Sequence, residues 1–458
     1  KRIAPTRDDL STREFIISHS RRFPLASKVA LAGAALIAAG MLFSCTSKAP
    51  KSLVTPPNAA AVKAGQAHRE PVRGVWLTTV SRLDWPPVGS IIASTPESRI
   101  TQQKLALIAK LDNLQRLGIN TVFFQVKPDG TALWRSDILP WSDMLTGKIG
   151  EYPGYDPLQF MLDEAHKRGM KVHAWFNPYR VSVNTKPSTI AELNNTLTQV
   201  PASVFVLHRN WIRTASDRFV LDPGIPEARD WITSIVAEVV QNYPIDGVQF
   251  DDYFYTETAS SPLNDNETFR RYGQGYASKG DWRRHNTQQL IAQVSTTIKK
   301  LNPNVEFGVS PAGVWRNRSH DPAGSDTRGA AAYDESYADT RSWVQQGLLD
   351  YIAPQIYWPF ARDAARYDVL ANWWAEVVKP THTRLYIGVA LYKVGEPSKN
   401  EPDWTVDGGV PELKKQLDLN ETLPQIQGTI LFRENNLNQP QTRQAVNYLR
   451  SRWGQPQS

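Results

Sequence analysis

The chain has 458 residues, 41% of them hydrophobic and 21% charged, so it is too long for a minimal domain and apolar enough to bury one large core. Its net charge of +7 is concentrated at the front: residues 1–45 hold seven Lys/Arg against three Asp/Glu, a balance of +4 that leaves +3 for everything after. The body carries no basic block, so nothing points to nucleic acid as a partner.

The first segment reads as an export signal. Arg21, Arg22 and Lys28 make a positive region, and the apolar run 29–43 is too short and too small-sided to span a bilayer comfortably. It ends in Leu42-Phe43-Ser44-Cys45, which resembles the lipobox of bacterial lipoproteins, in which the Cys is lipidated and anchors the chain to a membrane. Cys45 is the only Cys, which excludes an internal disulfide. Lipoproteins kept at the inner membrane carry Asp after that Cys; Thr46 here points to the outer membrane. Residues 46–70 are rich in Ala, Pro, Ser and Lys and read as a flexible tether, which leaves residues 71–454 as the folded domain.

In that domain strand-like and helix-like segments alternate. A strand over 72–80 precedes an amphipathic helix over 102–117, closed by Gly118. The strand 121–126 leads to Lys127-Pro128-Asp129. A helix over 157–167 precedes the strand 171–176 and Asn177-Pro178-Tyr179-Arg180, after which comes a long polar insert over 181–218. The helix 226–243 feeds a turn at Asp246-Gly247 and a short strand, Val248-Gln249-Phe250, that runs into Asp251-Asp252-Tyr253-Phe254-Tyr255. Beyond it the alternation continues: helix 282–301 and strand 305–310, a Gly/Arg/Asp-rich loop, helix 339–346 and strand 351–357, helix 367–378 and strand 385–391, helix 411–419 and strand 429–432, and a closing helix 440–453. Eight strand–helix units in alternation imply a parallel sheet closed as an α/β (β/α)8 TIM barrel with long loops.

In such a barrel the residues that follow each strand meet at one mouth. Here they are Lys127 and Asp129; Asn177, Tyr179 and Arg180; Asp251, Asp252, Tyr253 and Tyr255; Trp315 and Arg316; Gln355, Tyr357 and Trp358; Tyr392 and Lys393; Arg433 and Glu434. Flat aromatic faces beside amides and carboxylates suit sugar rings, which have apolar C–H faces and hydroxyl edges. Trp85, Trp231, Trp373 and Trp374 are instead expected to pack. Consecutive strand residues point to opposite sides, so Asp251 and Asp252 are expected to do different jobs: one faces the pocket, and the other bonds loop backbone or a basic side chain. His166 and His173 lack metal-ligand spacing with a carboxylate, no phosphate loop or dinucleotide fingerprint is present, and Ser310 lacks the glycines of a nucleophile elbow. Neither a metal nor an organic cofactor is expected. Carboxylates remain the strongest catalysts, and glycoside hydrolysis uses a pair of them.

Arg73-Gly74-Val75-Trp76-Leu77, Phe124-Gln125-Val126-Lys127, His173-Ala174-Trp175-Phe176-Asn177-Pro178-Tyr179-Arg180, Leu221-Asp222-Pro223-Gly224 and Asp246 to Tyr255 together resemble the glycosyl hydrolase-like 10 family, over about residues 71–453. The resemblance implies catalytic aspartates after the fourth strand. It also implies an outer-membrane lipoprotein, facing the periplasm, that cuts peptidoglycan glycan strands lacking stem peptides at the division septum, among divisome proteins. The seventh strand leads to Tyr392 and Lys393 rather than to the Glu of a family-10 xylanase, so the second carboxylate stays open: Glu434 first, with Asp222 and Asp129 as rivals. A glycan-binding lipoprotein without activity, or a hydrolase of another polymer such as poly-glucosamine, are the competing readings.

Overall fold

The computed structural model describes residues 69–454; the export signal, Cys45 and all but the last two residues of the tether lie outside them. The strands are β1 (Val72–Leu77), β2 (Thr121–Lys127), β3 (Lys171–Phe176), β4 (Ile212–Ala215), β5 (Arg218–Leu221), β6 (Gly247–Phe250), β7 (Glu306–Val309), β8 (Tyr351–Ile352), β9 (Arg384–Val389) and β10 (Ile426–Leu431). Eight of them, in the order β1-β2-β3-β6-β7-β8-β9-β10, form a closed parallel barrel in which β10 pairs back onto β1. This is the TIM barrel expected from the alternation.

Two cores follow from the two-residue period of the strands. Val75, Leu77, Val122, Phe124, Val126, Val172, Val248, Phe250 and Ile352 point outward and join the helices in one apolar layer, where Leu107, Leu111 and Leu114 of the helix Pro96–Arg116 are fully buried. Inward-facing Trp76, Phe123, Trp175, Tyr351, Ala353, Tyr386 and Ile430 fill the barrel. So many rings fit only because glycines stand opposite some of them. A Cβ on Gly308 would lie 2.2 Å from the Tyr351 ring, and one on Gly247 would lie 2.3 Å from His173.

Several boundaries differ from the sequence reading. The first strand stops at Leu77 because the next amides leave the ladder: Thr78 N–H donates to Asp84 Oδ2 at 2.7 Å and Thr79 N–H to Gln125 Oε1 at 2.9 Å. The strand expected over 351–357 shrinks to Tyr351–Ile352, since Pro354 has no N–H to offer the ladder. The helix expected from 102 starts at Pro96, with Thr95 as N-cap accepting from Ser98 N–H at 3.1 Å. The insert 181–218 is not merely polar. It carries the helix Pro187–Asn194 and most of the antiparallel hairpin β4–β5, whose Ile212, Ala215, Phe219 and Leu221 are buried. Its two-residue turn, Ser216-Asp217, has φ of 52° and 57°, the type I′ geometry of tight hairpins.

The closure of the barrel has its own polar clasp. Asp84, after β1, accepts from Thr78 N–H and Oγ1–H through Oδ2. Through Oδ1 it accepts from Arg433 Nη1 at 2.8 Å and Asn435 N–H at 2.7 Å, both after β10. The Asp84 and Arg433 side chains are both buried. Asp84→Ala therefore strands a guanidinium and two amides, and is expected to cost about 3–5 kcal/mol in denaturant unfolding. Lys414→Ala, which breaks an exposed pair with Asp418, should leave the unfolding midpoint nearly unchanged.

Candidate active site

The strand β6 sets the geometry. Val248 and Phe250 are committed outward, so Gln249 and then Asp251 face the bore at the carboxyl end. Asp251 is 4% exposed. Its Oδ2 accepts from Trp175 Nε1–H, inward from the neighbouring β3, at 2.9 Å, and its Oδ1 accepts from Tyr253 N–H at 3.2 Å. Burial, followed by the negative charge of Asp252, pushes the carboxyl up to about 7; the Trp175 hydrogen bond and the Arg180 charge pull the other way and lose. Asp251 thus carries a proton near neutral pH, whereas Asp252 beside it is only half-buried. A buried acid that keeps its proton to about neutral pH, beside a second carboxyl group, is what acid–base chemistry on a glycosidic oxygen uses.

The end of β2 and the loop after β3 complete one side. Lys127 is buried, and its Nζ donates to the carbonyls of Asn177 at 2.7 Å and of Pro178 and Arg180 at 3.4 Å each. Those carbonyls surround the Lys127 amine, so Lys127 holds the loop after β3 in place. Burial pushes its pKa down to about 7 against the charges of Asp129 and Asp251. Asp129 is half-buried, accepts from Thr131 N–H at 2.9 Å, and is raised by burial. The Arg180 guanidinium lies 4.6 Å over the Tyr253 ring. Burial, then the Asp252 charge, pushes the Tyr253 hydroxyl up to about 12.

Aromatics line the other side. The half-buried Tyr357 stacks on Phe432 with centroids 5.6 Å apart and meets the edge of Tyr392 at 5.6 Å. Burial raises its hydroxyl, and the charges of Tyr392, Asp252 and Tyr253 add to that, which ties this wall to the acidic pair. Gln355, also half-buried, donates to Ser310 O at 3.0 Å. Trp358 is half-buried, with its carbonyl held by Gln416 Nε2 at 3.2 Å.

Other expected residues stand elsewhere. Glu434 is fully buried and takes Lys110 Nζ of the helix Pro96–Arg116 at 2.6 Å, so it faces the outer layer and not the bowl. Asp222 is sealed among Thr268, Gly224 N–H and Arg213. Of the three carboxylates weighed as a partner, Asp129 alone shares the charge cluster of Lys127, Arg180 and Asp251. Tyr179 and Tyr255 are buried in packing layers; Tyr255 accepts from Asn286 Nδ2–H at 3.1 Å and lies under Arg283. Asn177 is 1% exposed and receives Arg180 N–H on Oδ1 at 3.3 Å. Two residues escaped the sequence reading. Trp175 was visible in the alternation of His173-Ala174-Trp175-Phe176. Asp143, pushed up to about 7 by burial and the Asp129 charge, left no such signal. Among the described residues no group of three His, Cys, Asp or Glu could hold a metal ion.

A family model described as Glycosyl hydrolase-like 10 matches residues 71–406. The chain is 77% identical over 415 residues to the protein named Glycosyl hydrolase DigH of Escherichia coli O6:H1, covering 90% of this chain and 94% of that one. Its namesake in Escherichia coli strain K12 is 73% identical over 440 residues, with 96% and 99% covered. Glycosyl hydrolase YngK of Bacillus subtilis strain 168 is 43% identical over 376 residues, covering 81% of this chain and 70% of that protein.

The raised Asp251 pKa has a stability consequence. Its folded value, about 7, exceeds the ordinary 3.8, so the folded state pays a growing penalty as pH climbs from about 4 to 7. Asp251→Asn should relieve it: no gain below pH 4, and a gain on the order of 2–4 kcal/mol above pH 8. Unfolding midpoints of both proteins at pH 4, 6 and 8 test this; a difference independent of pH would mean Asp251 titrates normally.

Proposed function

Because the chain belongs to the glycosyl hydrolase-like 10 family, we propose that it is a glycoside hydrolase acting on the glycan strands of peptidoglycan, those already stripped of stem peptides. On this reading it works at the division septum among divisome proteins, held to the outer membrane by a lipid on Cys45 and facing the periplasm. The observation that carries the catalytic part is Asp251: buried, turned into the mouth, braced by Trp175 and holding a proton near neutral pH.

The chemistry then follows. Asp251 gives its proton to the glycosidic oxygen as the bond from that oxygen to the anomeric carbon breaks. The positive charge that develops on the ring is met by Asp252, or by the sugar's own acetamido oxygen with Asp252 orienting it. Water adds its oxygen to the anomeric carbon and returns a proton to the carboxyl set. Tyr253, Tyr357 and Trp358 supply ring faces for the sugars on either side of the bond.

Asp251→Asn is expected to lower reducing-end release from amidase-treated sacculi at least about 100-fold. A folded variant with full activity would overturn the assignment. The parent enzyme should digest amidase-treated sacculi ahead of intact sacculi and poly-glucosamine. Faster digestion of poly-glucosamine would overturn the substrate, and binding without any reducing ends would overturn the activity. Cys45→Ala should move the protein from the outer-membrane fraction to the soluble periplasm.

A further inference from the structure

Arg180 is 5% exposed; its guanidinium lies over the face of Tyr253 at 4.6 Å and within charge range of Asp251 and Asp129, and it forms no hydrogen bond or ion pair with another described residue. Its backbone is fixed on both sides. An antiparallel bridge joins it to Val220 of β5, Leu221 N–H donates to Tyr179 O and Val181 N–H to Phe219 O at 2.9 Å each, and the Arg180 carbonyl takes Lys127 Nζ. The hairpin β4–β5 and Lys127 therefore hold this loop where it is. Of the nearby acids, Asp251 has both oxygens taken by Trp175 and Tyr253, and Asp129 has Oδ1 taken by Thr131. Three residues before Arg180, Asn177 Nδ2 is a buried donor without a partner among the described residues.

A ring face engages only the flat side of a guanidinium and leaves its N–H fork open to water or to a ligand. The fork of an arginine fits one kind of acceptor best, a planar anion with two oxygens. Sugar hydroxyls and acetamido groups are neutral and do not demand it. We infer that Arg180 reads a free carboxylate on the bound glycan, so that this site takes an acidic sugar next to the bond that is cut. The inference rests on the glycan reading above and deepens it. The lactyl ether of a muramic acid unit carries such a carboxylate only after its stem peptide is removed; while the peptide is attached, the group is a neutral amide. Arg180 thereby gives the preference for stripped strands a chemical cause that does not depend on the bulk of the peptide.

The test separates charge from bulk. Amidase-treated glycan is compared with the same glycan after carbodiimide coupling to methylamine, which restores a neutral amide without a peptide. The parent enzyme is expected to show kcat/KM about 10–100-fold higher on the charged strand. Arg180→Gln should cut both strands alike, whatever its overall rate, and Arg180→Lys should keep part of the ratio. Equal cutting of the two strands by the parent, or an unchanged ratio in a folded Arg180→Gln, overturns the inference; if that variant does not fold, the parent's ratio alone decides. A binding arm keeps this separable from hydrolysis. Asp251→Asn protein should bind the charged strand about 10–100-fold more tightly than the neutral one, and lose that ratio when Arg180→Gln is added. Absence of cleavage by the parent would sink the hydrolase reading, while the binding ratio would still decide the role of Arg180.

Discussion

The hydrogen bond from Trp175 to Asp251 joins two neighbouring strands across the mouth of the barrel, and the character of the site depends on it. The register pairs Trp175 with Gln249, so an indole from β3 reaches the carboxylate two residues further along β6. Trp175 also belongs to the ring-filled interior of the barrel. The acid is therefore oriented by a side chain that the barrel needs for packing, and turning Asp251 away would require repacking the bore. Taken alone, this hydrogen bond would favour the ionised acid. Burial and the adjacent Asp252 outweigh it, which is why Asp251 holds its proton to about pH 7.

The loop after β3 is assembled around a lysine rather than around a ligand. Lys127 reaches across from the end of β2 to three carbonyls of this loop. A buried amine with a pKa of about 7 costs little when it sheds its charge. The loop that carries Arg180 is thus held by Lys127 on one side and bridged to Val220 of β5 on the other.

Much of the fold was legible because helix and strand periods alternate without interruption from one end of the domain to the other. What was not legible lies where that period stops. Glu434 lies three residues past the end of β10, where the chain enters a tight turn over Glu434–Asn438, so strand parity no longer predicts direction, and Lys110 of an outer helix claims the carboxylate. Pro354 shortens β8 to two residues, although the run around it reads as a strand. The hairpin β4–β5 carries Ser216-Asp217 where a glycine usually marks the turn, so no local signal announced it. Asp251 was legible because its strand is flanked by the outward pair Val248 and Phe250, which leave it a single direction.

Arg180 and Asp251 are coupled through charge, and that coupling links recognition to catalysis. The Arg180 charge is one of the influences that lower the Asp251 pKa. A carboxylate docked on Arg180 would neutralise that influence and add a negative charge of its own close to the acid. Both changes push the Asp251 pKa upward, so an acidic glycan would complete the protonation of the group that must protonate it. A neutral glycan would leave the influence of Arg180 intact, and Asp251 would be ionised in a larger share of molecules at the same pH. On this account a single guanidinium discriminates between substrates twice, once in binding and once in the fraction of enzyme that carries the catalytic proton.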